Sequence, residues 1–242
     1  MHHRSWLFLI ALTGPLASAG QVTIVSTENA PFAYTDPRSH EVTGVTTDIL
    51  DAAFKRSGLA YKVGIYPWAR AMMLATSRPD TCVYPVTRLP ERESLFQWVG
   101  PLNTNRWVLY ARGEFRGRIE QAADVAQYAV GGLRDDGPAH YLKSQGVAVE
   151  LVGDNKLNVR KLAAGHITLW ATGLERGRIL ADEMGVLDIK PVFTLREVDH
   201  YLACHRSLPA QLVQDLNGSV AALRENGGIK AIIQRYEARR SP

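Results

Sequence analysis

The sequence predicts an α/β protein, in which strands and helices alternate and helices cover both faces of the sheets. β-rich runs alternate with amphipathic segments in two series, near residues 21–105 and near residues 127–195. No segment of the sequence repeats at a fixed period, so a repeat architecture is excluded. The 242 residues, 46% of them hydrophobic, are enough for one large domain or two of ordinary size.

The first series opens with a β-rich run at residues 21–26. A helix is predicted to begin near Thr46, and Gly58 is placed to end it. The elements that follow are a strand at residues 61–66, a helix opened by Pro67 and running to Ala75, a strand at residues 82–86 that ends near Pro85, and an apolar strand that includes residues 107–110.

The second series repeats this alternation. Its predicted elements are strands at residues 128–130, 147–151 and 167–170, and helices around residues 139–143, from Asp154 to Gly165, and at residues 175–183. A strand at residues 201–204 then returns to the first unit. Two amphipathic helices close the chain, with Pro209 near the start of the first and Gly227 at its end.

Residues 1–19 have the pattern of a secretory signal peptide. A basic end at residues 1–4 precedes an apolar stretch at residues 6–12, and small residues at 17–19 provide a cleavage site. The alternative, a buried N-terminal helix, is disfavoured by Pro15. The protein is therefore expected in the periplasm.

The charge balance excludes several classes of protein. With 28 basic and 24 acidic residues the net charge is +4, and the basic residues are scattered, whereas nucleic-acid-binding proteins carry a denser basic stripe.

No apolar run reaches the roughly 18–20 residues that span a bilayer. Catalytic, phosphate-loop and zinc-protease motifs are absent from the sequence. We therefore predict no enzymatic activity, no nucleic-acid partner, no cofactor and no metal.

Cys82 and Cys204 are the only cysteines in the sequence. In an exported protein, two cysteines most simply form one disulfide. Two buried free thiols are the alternative. Two cysteines that belong to no recognisable metal-ligand motif make a poor metal site.

Polar and aromatic side chains follow three predicted strands of the first series, in segments 28–34, 66–71 and 87–93. Loops at this end of an open α/β sheet share one edge, where such sheets bind ligands. Arg92, on a helix opened by Pro90, can hold a carboxylate there through two hydrogen bonds, beside the flat wall of an indole. The alternatives are a surface ion pair for this arginine and a core position for the tryptophan.

The same segments carry a resemblance to a known family. The motifs are Ala30–Phe32, Gly44–Ile49, Pro67–Trp68, the Thr-x-x-Pro-Glu-Arg element at residues 87–92, Trp98–Leu102 and Leu162–Trp170. Together they resemble the periplasmic solute-binding proteins of family 3, which serve ATP-binding-cassette (ABC) uptake systems for polar amino acids.

The resemblance implies a two-lobed type II periplasmic binding protein fold. Each lobe is a mixed sheet flanked by helices, and two hinge strands join the lobes. Lobe 1 is expected at residues 20–108 and 200–242, and lobe 2 at residues 109–199. Hinges are expected near residues 106–112 and 196–201. In this scheme both cysteines belong to lobe 1, on neighbouring strands.

The resemblance also implies roles for lobe 1 residues in a cleft between the lobes. Arg92 would hold an α-carboxylate, and Thr87 would help to hold either an α-amino group or the carboxylate. Trp68 would stand where the family places an aromatic or hydrophobic wall. Asn29 falls where many members have a cleft aromatic.

In lobe 2 the resemblance places Arg134, Asp136 and Gly137 in the loop that contacts the carboxylate. One departure concerns the ammonium of an amino-acid ligand, which family members usually neutralise with an Asp. Residues 170–173 contain no carboxylate at that place, and burying an unpaired ammonium is costly. The ligand is then a different small anion or zwitterion, unless Asp136 substitutes.

The expected function is capture of a small carboxylate-bearing, amino-acid-like metabolite by a monomer, with an inner-membrane ABC permease as partner. One alternative is a dehydratase-like enzyme on the same scaffold, for which Asp136, Glu175 and His140 are the candidate acid/base groups. The others are a ligand-sensing module without transport and a structural or regulatory module that has lost ligand binding.

Overall fold

The computed structural model describes residues 21–238, and the predicted signal peptide at residues 1–19 lies outside them. The strands are β1 (Val22–Ser26), β2 (Tyr34–Thr35), β3 (Val42–Thr43), β4 (Tyr61–Ile65), β5 (Thr81–Thr87), β6 (Phe96–Arg112), β7 (Val130–Leu133), β8 (Glu150–Val152), β9 (Leu169–Gly173) and β10 (Ile189–His205). The helices are α1 (Val45–Ser57), α2 (Trp68–Ser77), α3 (Pro90–Glu93), α4 (Gly137–Ser144), α5 (Asn155–Ala163), α6 (Leu174–Glu183), α7 (Ala210–Glu225) and α8 (Gly228–Ala238), with a 3₁₀ helix at Ala122–Gln127.

Eight strands form one mixed sheet in the order β4-β1-β5-β10-β6-β9-β7-β8. The long strands β6 and β10 lie antiparallel in its centre. On one side β4, β1 and β5 are parallel to one another, and on the other side β9, β7 and β8 are parallel. We call the half built on β1, β4 and β5 lobe 1, and the half built on β7, β8 and β9 lobe 2. The predicted α/β class is confirmed; the residue boundaries of the lobes stay predictions.

Helices cover both faces of the sheet in lobe 1. On one face α1, α7 and α8 bury Ile49, Leu216 and Ile232. On the opposite face α2 buries Ala71 against Val83 of β5. Burial of an aliphatic side chain contributes about 1.5–3 kcal/mol, so these helices are held mainly by packing.

Lobe 2 is built in the same way, with Leu142 of α4 on one face and Val159 of α5 on the other. Two leucine side chains pack against the opposite lobe. Leu133 of lobe 2 packs into a lobe 1 cluster, and Leu89 of lobe 1 packs into a lobe 2 cluster. The lobes therefore touch in this structure.

Two predicted helix ends are confirmed by their capping geometry. Gly58 ends α1 with φ 69°, a left-handed conformation that glycine adopts without strain. The Asp154 carboxylate caps α5 by accepting a hydrogen bond from the Lys156 backbone N–H at 2.9 Å.

The cysteines form the disulfide Cys82–Cys204, with 122 residues of sequence separation. The two residues lie directly opposite each other on β5 and β10, with their Cα atoms 3.9 Å apart. The bridge therefore joins a strand of lobe 1 to one of the two central strands, and the alternative of two free thiols is excluded.

Two expectations about strands differ from the structure. β10 has 17 residues, longer than its apolar core at residues 201–204 suggested, and β6 also has 17. They are long because they pair with each other, so polar residues between the apolar stretches still belong to the ladder. Pro85 lies inside β5, not at its end. The register with β10 shifts between Tyr201 and Ala203, where a bulge tolerates a residue without an N–H.

In residues 21–238, no helix is long and apolar enough to cross a membrane. The hinges expected near residues 106–112 and 196–201 fall within β6 and β10. Between these strands the register shifts at Pro191/Phe193, at Thr194/Arg196 and at His200/Leu202.

Candidate functional site

The strand ends of both lobes meet at a small chamber of about 30 Å³, which we call the inner chamber. Its lining residues are Thr27, Asn29, Trp68, Pro85, Thr87, Arg92, Asn105, Trp107, Asp136, Gly137, Pro138, Gly173, Arg176 and His200. Most of them lie at the ends of β1, β4, β5, β7 and β9 or within five residues after those ends, as expected for ligand sites of α/β sheets.

Arg92 is the most deeply buried charged group of the inner chamber, with 4% of the residue exposed. It sits in α3, which Pro90 opens. Nη1 donates to the Thr87 carbonyl oxygen at 3.2 Å, and Nη2 donates to the Asp135 carbonyl oxygen at 2.6 Å. Among the described residues, no carboxylate lies within 4 Å of this guanidinium.

The environment of Arg92 acts on its pKa in two directions. Burial lowers the pKa, because it penalises the charged form, and the nearby carboxylates of Asp136, Glu91 and Asp135 act against this. A guanidinium stays protonated in proteins. The chamber therefore contains a buried positive charge whose direct partners are two neutral carbonyl oxygens.

Trp68 forms the wall beside this guanidinium. It is the first residue of α2, directly after Pro67, and is 8% exposed. The Arg92 guanidinium carbon lies 5.8 Å from the centroid of the indole ring, within cation–π range. The indole Nε1 donates to the Asp135 carbonyl oxygen at 2.9 Å.

One carbonyl oxygen of lobe 2 thus accepts hydrogen bonds from both Arg92 and Trp68 of lobe 1. Asp135 adopts φ 58°, a left-handed conformation that Asp tolerates better than most residues. These two hydrogen bonds tie the lobes together at the chamber.

Asp136 and Gly137 line the lobe 2 side. The Asp136 carboxylate caps α4, its Oδ1 accepting from the Gly137 N–H at 2.9 Å. A Cβ on Gly137 would lie 2.2 Å from Cζ2 of Trp107, so only glycine fits there.

Arg176 places a second guanidinium in the inner chamber. It lies near the start of α6, directly after β9, and is partly buried. No described residue gives it a hydrogen bond or an ion pair. Burial lowers its pKa, and the carboxylates of Asp136, Asp154 and Glu28 oppose this.

His200 is also a wall of the chamber, on β10, and is 4% exposed. Its Nδ1 lies 3.2 Å from the Asn103 amide nitrogen and its Nε2 lies 3.3 Å from the Asn105 amide nitrogen. Burial lowers the pKa of His200 to about 3, so the imidazole is neutral at physiological pH. Phe32 packs against the ring edge-on at 4.7 Å.

The structure brings most of the predicted site residues together. The predicted residues that line the inner chamber are Asn29, Trp68, Thr87, Arg92, Asp136 and Gly137. Arg134 is exposed and does not line it. The binding role of each of these residues stays a prediction.

Sequence reasoning missed Arg176 and His200, because neither belongs to a recognisable motif. The position of Arg176 could have identified it as a site candidate, because it follows the end of a strand as the lobe 1 candidates do. No comparable signal marked His200, which lies in the middle of a long ladder.

The acid/base candidates are spread out. His140 Nδ1 lies 3.1 Å from a Glu91 carboxylate oxygen, and neither residue lines the inner chamber. Glu175 does not line it either, so only Asp136 of the three candidates does. Within residues 21–238, no group of three or more His, Cys, Asp or Glu side chains is arranged to hold a metal ion.

A larger cavity of about 950 Å³, the outer cavity, adjoins the inner chamber. Thr27, Trp68 and Arg176 line both. The outer cavity is bounded by Tyr66 of lobe 1 and Asn155 of lobe 2, so it is the mouth of the cleft between the lobes.

The fold and the chamber between its lobes define a two-lobed binding protein. The chain belongs to the bacterial extracellular solute-binding proteins, family 3, whose model matches residues 22–238. No curated protein matches the chain by sequence.

Several solved structures share the fold at low sequence identity. A histidine kinase sensor domain with similarity to periplasmic binding proteins is 17% identical, with a TM-score of 0.80 over 89% of this chain and 95% of that one. The arginine-, lysine-, histidine-binding protein ArtJ from Geobacillus stearothermophilus is 14% identical, with a TM-score of 0.77 over 89% and 94%. The amino acid ABC transporter substrate-binding protein AbpA from Streptococcus pneumoniae, bound to L-arginine, is 15% identical, with a TM-score of 0.74 over 89% and 94%.

Proposed function

We propose that the chain captures a small carboxylate-bearing, amino-acid-like metabolite in the inner chamber and presents it to an ABC uptake system. The observation that carries this proposal is Arg92. Its guanidinium is buried, lies between the lobes and has no carboxylate partner among the described residues. An incoming carboxylate is the group that best satisfies such a charge.

The energetics favour a carboxylate over a neutral ligand. Each hydrogen bond to a charged group contributes about 1.5–3 kcal/mol, and a planar guanidinium can make two with one carboxylate. A carboxylate on Arg92 would replace the neutral oxygen of Asp135, which accepts from Nη2. Trp68 supplies an apolar face for the rest of the solute.

Capture requires the lobes to move. A chamber of about 30 Å³ has room for a few water molecules at most, and an amino-acid-sized molecule is several times larger. Separation of the lobes breaks the two hydrogen bonds to the Asp135 carbonyl and opens the chamber to the outer cavity. Because contacts from both lobes exist only when they meet, the solute shifts the equilibrium towards closure.

A location outside the cytoplasm is supported by the disulfide, since such bonds persist in oxidising compartments. AbpA is a substrate-binding component of an ABC transporter, and the histidine kinase domain is a sensor. Both roles begin with capture of a solute, and the first experiment therefore addresses capture.

Mass spectrometry of small molecules that co-purify with the protein identifies the solute, and titration calorimetry then compares variants. Arg92→Ala is expected to weaken binding about 100-fold or more, because two charged hydrogen bonds are lost. Arg92→Lys keeps the charge but not the planar fork, and is expected to recover only part of the affinity.

Arg88→Ala is the matched control. Arg88 lies in the same segment, but its guanidinium pairs with Glu93 at the surface. Its loss is expected to leave affinity unchanged. Equal affinity in wild type and Arg92→Ala would remove this guanidinium from the site and end the proposal.

A further inference from the structure

The inner chamber contains more positive than negative charge. Arg92 enters it from lobe 1 and Arg176 from lobe 2. Of the described residues that line it, only Asp136 has a carboxylate. His200 contributes no charge, because its imidazole is neutral. Two guanidiniums therefore face one carboxylate within the chamber wall.

Asp136 is poorly placed to serve as the partner of a ligand ammonium. One of its oxygens already accepts from the Gly137 N–H as the cap of α4. It also faces both guanidiniums, whose charges it stabilises. An ammonium added beside it would also be repelled by these two positive charges.

β9 itself contains no acid, and Glu175, two residues after its end, does not line the inner chamber. Residues 169–173 are buried throughout, and Gly173 is the one of them that lines the inner chamber. The side chain next to it, Thr172, is neutral. The nearest positive residue along the chain, Arg176, stands in the chamber instead.

From this arrangement we infer that the solute has two acidic groups and no ammonium, with one acid held by Arg92 and the other by Arg176. The inference rests on the proposed function and names its solute class, a small linear dicarboxylic acid. Closure then has a direct physical cause: the second acid attracts the guanidinium of lobe 2 only after the first has bound to lobe 1.

The test uses pairs of probes that differ only in the amine. Glutarate is compared with L-glutamate, and succinate with L-aspartate, by calorimetry on the wild-type protein. Malonate and adipate extend the series to three and six carbons. The dicarboxylate of at least one pair is expected to bind tenfold or more tightly than its amino acid.

The substitution Asp136→Asn is expected to change solute affinity in opposite directions for a dicarboxylate and for a solute with an ammonium group. Asparagine still caps α4, so the fold is kept while one negative charge is removed. Binding of the dicarboxylate is expected to tighten several-fold, because a repelling carboxylate is gone. A solute whose ammonium pairs with Asp136 would instead bind more weakly, and this outcome would overturn the inference.

Arg176→Gln is expected to weaken dicarboxylate binding tenfold or more. Its matched control is Arg160→Gln, an exposed arginine on α5 of the same lobe that lines neither cavity. The control is expected to bind as wild type does. Thermal unfolding of both variants shows whether either substitution disturbs the fold.

The failures of the two proposals are distinguishable. An amino acid or monocarboxylate that binds through Arg92, but is insensitive to Arg176→Gln, overturns the dicarboxylate inference alone. So does the absence of binding by every dicarboxylate of three to six carbons. A solute whose binding ignores Arg92→Ala overturns the proposed function itself.

Discussion

Lobe 1 and lobe 2 each bring one arginine into the inner chamber, but they hold it differently. In lobe 1, Arg92 is fixed by the Thr87 carbonyl of its own lobe and stacks against Trp68. In lobe 2, Arg176 has no hydrogen bond or ion pair within the described residues. Lobe 1 therefore presents a preorganised binding group, whereas the lobe 2 group can reorient when a solute arrives.

The same contrast holds for the framework behind each arginine. A disulfide links β5 of lobe 1 to β10, and the lobe 2 strands have no such covalent link, since Cys82 and Cys204 are the only cysteines of the sequence. A rigid half that binds first and a freer half that covers the solute are sufficient for capture by hinge closure.

Removal of the disulfide tests this contrast with the largest expected effect. The double variant Cys82→Ala/Cys204→Ala is expected to lose up to about 4–5 kcal/mol of unfolding free energy, as the entropy of a loop of this length predicts. Denaturant titration measures the loss. An unfolding midpoint equal to that of wild type would contradict a stabilising role for the bridge.

Gly137→Ala tests the lobe 2 wall. The added Cβ would lie 2.2 Å from Cζ2 of Trp107, and such overpacking costs about 1–3 kcal/mol. Solute affinity should fall as well, because the ring that must move lines the inner chamber. Gly218→Ala in α7 is the control: nothing lies within 4 Å of its Cβ, and it should stabilise the protein by about 0.5–1 kcal/mol. Equal stability of the two variants would contradict the packing at the chamber.

His200 makes stability depend on pH. Its pKa is about 3 in the fold against 6.5 for the unperturbed group, so only the unfolded chain takes up the proton between these values. This contribution lowers the unfolding free energy by about 1.4 kcal/mol per pH unit as pH falls from 6.5 towards 3, and is constant above that window.

His200→Gln removes the titrating group but keeps a polar side chain between Asn103 and Asn105. Denaturant titrations at pH 7 and pH 5 should show a smaller loss of stability for this variant than for wild type, by about 2 kcal/mol. Identical pH dependence of the two proteins would mean that the imidazole is not held neutral by burial.

The lobe 1 site was predictable from sequence because its signals are local. Pro67 and Pro90 fix the starts of α2 and α3, and these starts place Trp68 and Arg92 after strand ends. The C-terminal end of α1 and the N-terminal end of α5 were equally predictable, because a left-handed glycine and a capping Asp act on their immediate neighbours.

The lobe 2 site was less predictable because its signals are tertiary. Arg176 becomes a chamber residue only when β9 pairs with β6 and aims α6 at the cleft. The neutral state of His200 depends on the packing of β10 against Asn103, Asn105 and Phe32. Nothing in the local sequence encodes either arrangement.

The most direct test of the account is a crystal structure of the protein grown with the solute that mass spectrometry identifies. In that structure a solute carboxylate is expected to lie on the Arg92 guanidinium, between the two lobes, with Trp68 along the side of the solute. A solute bound elsewhere, with the Arg92 guanidinium making no contact to it, would contradict the account.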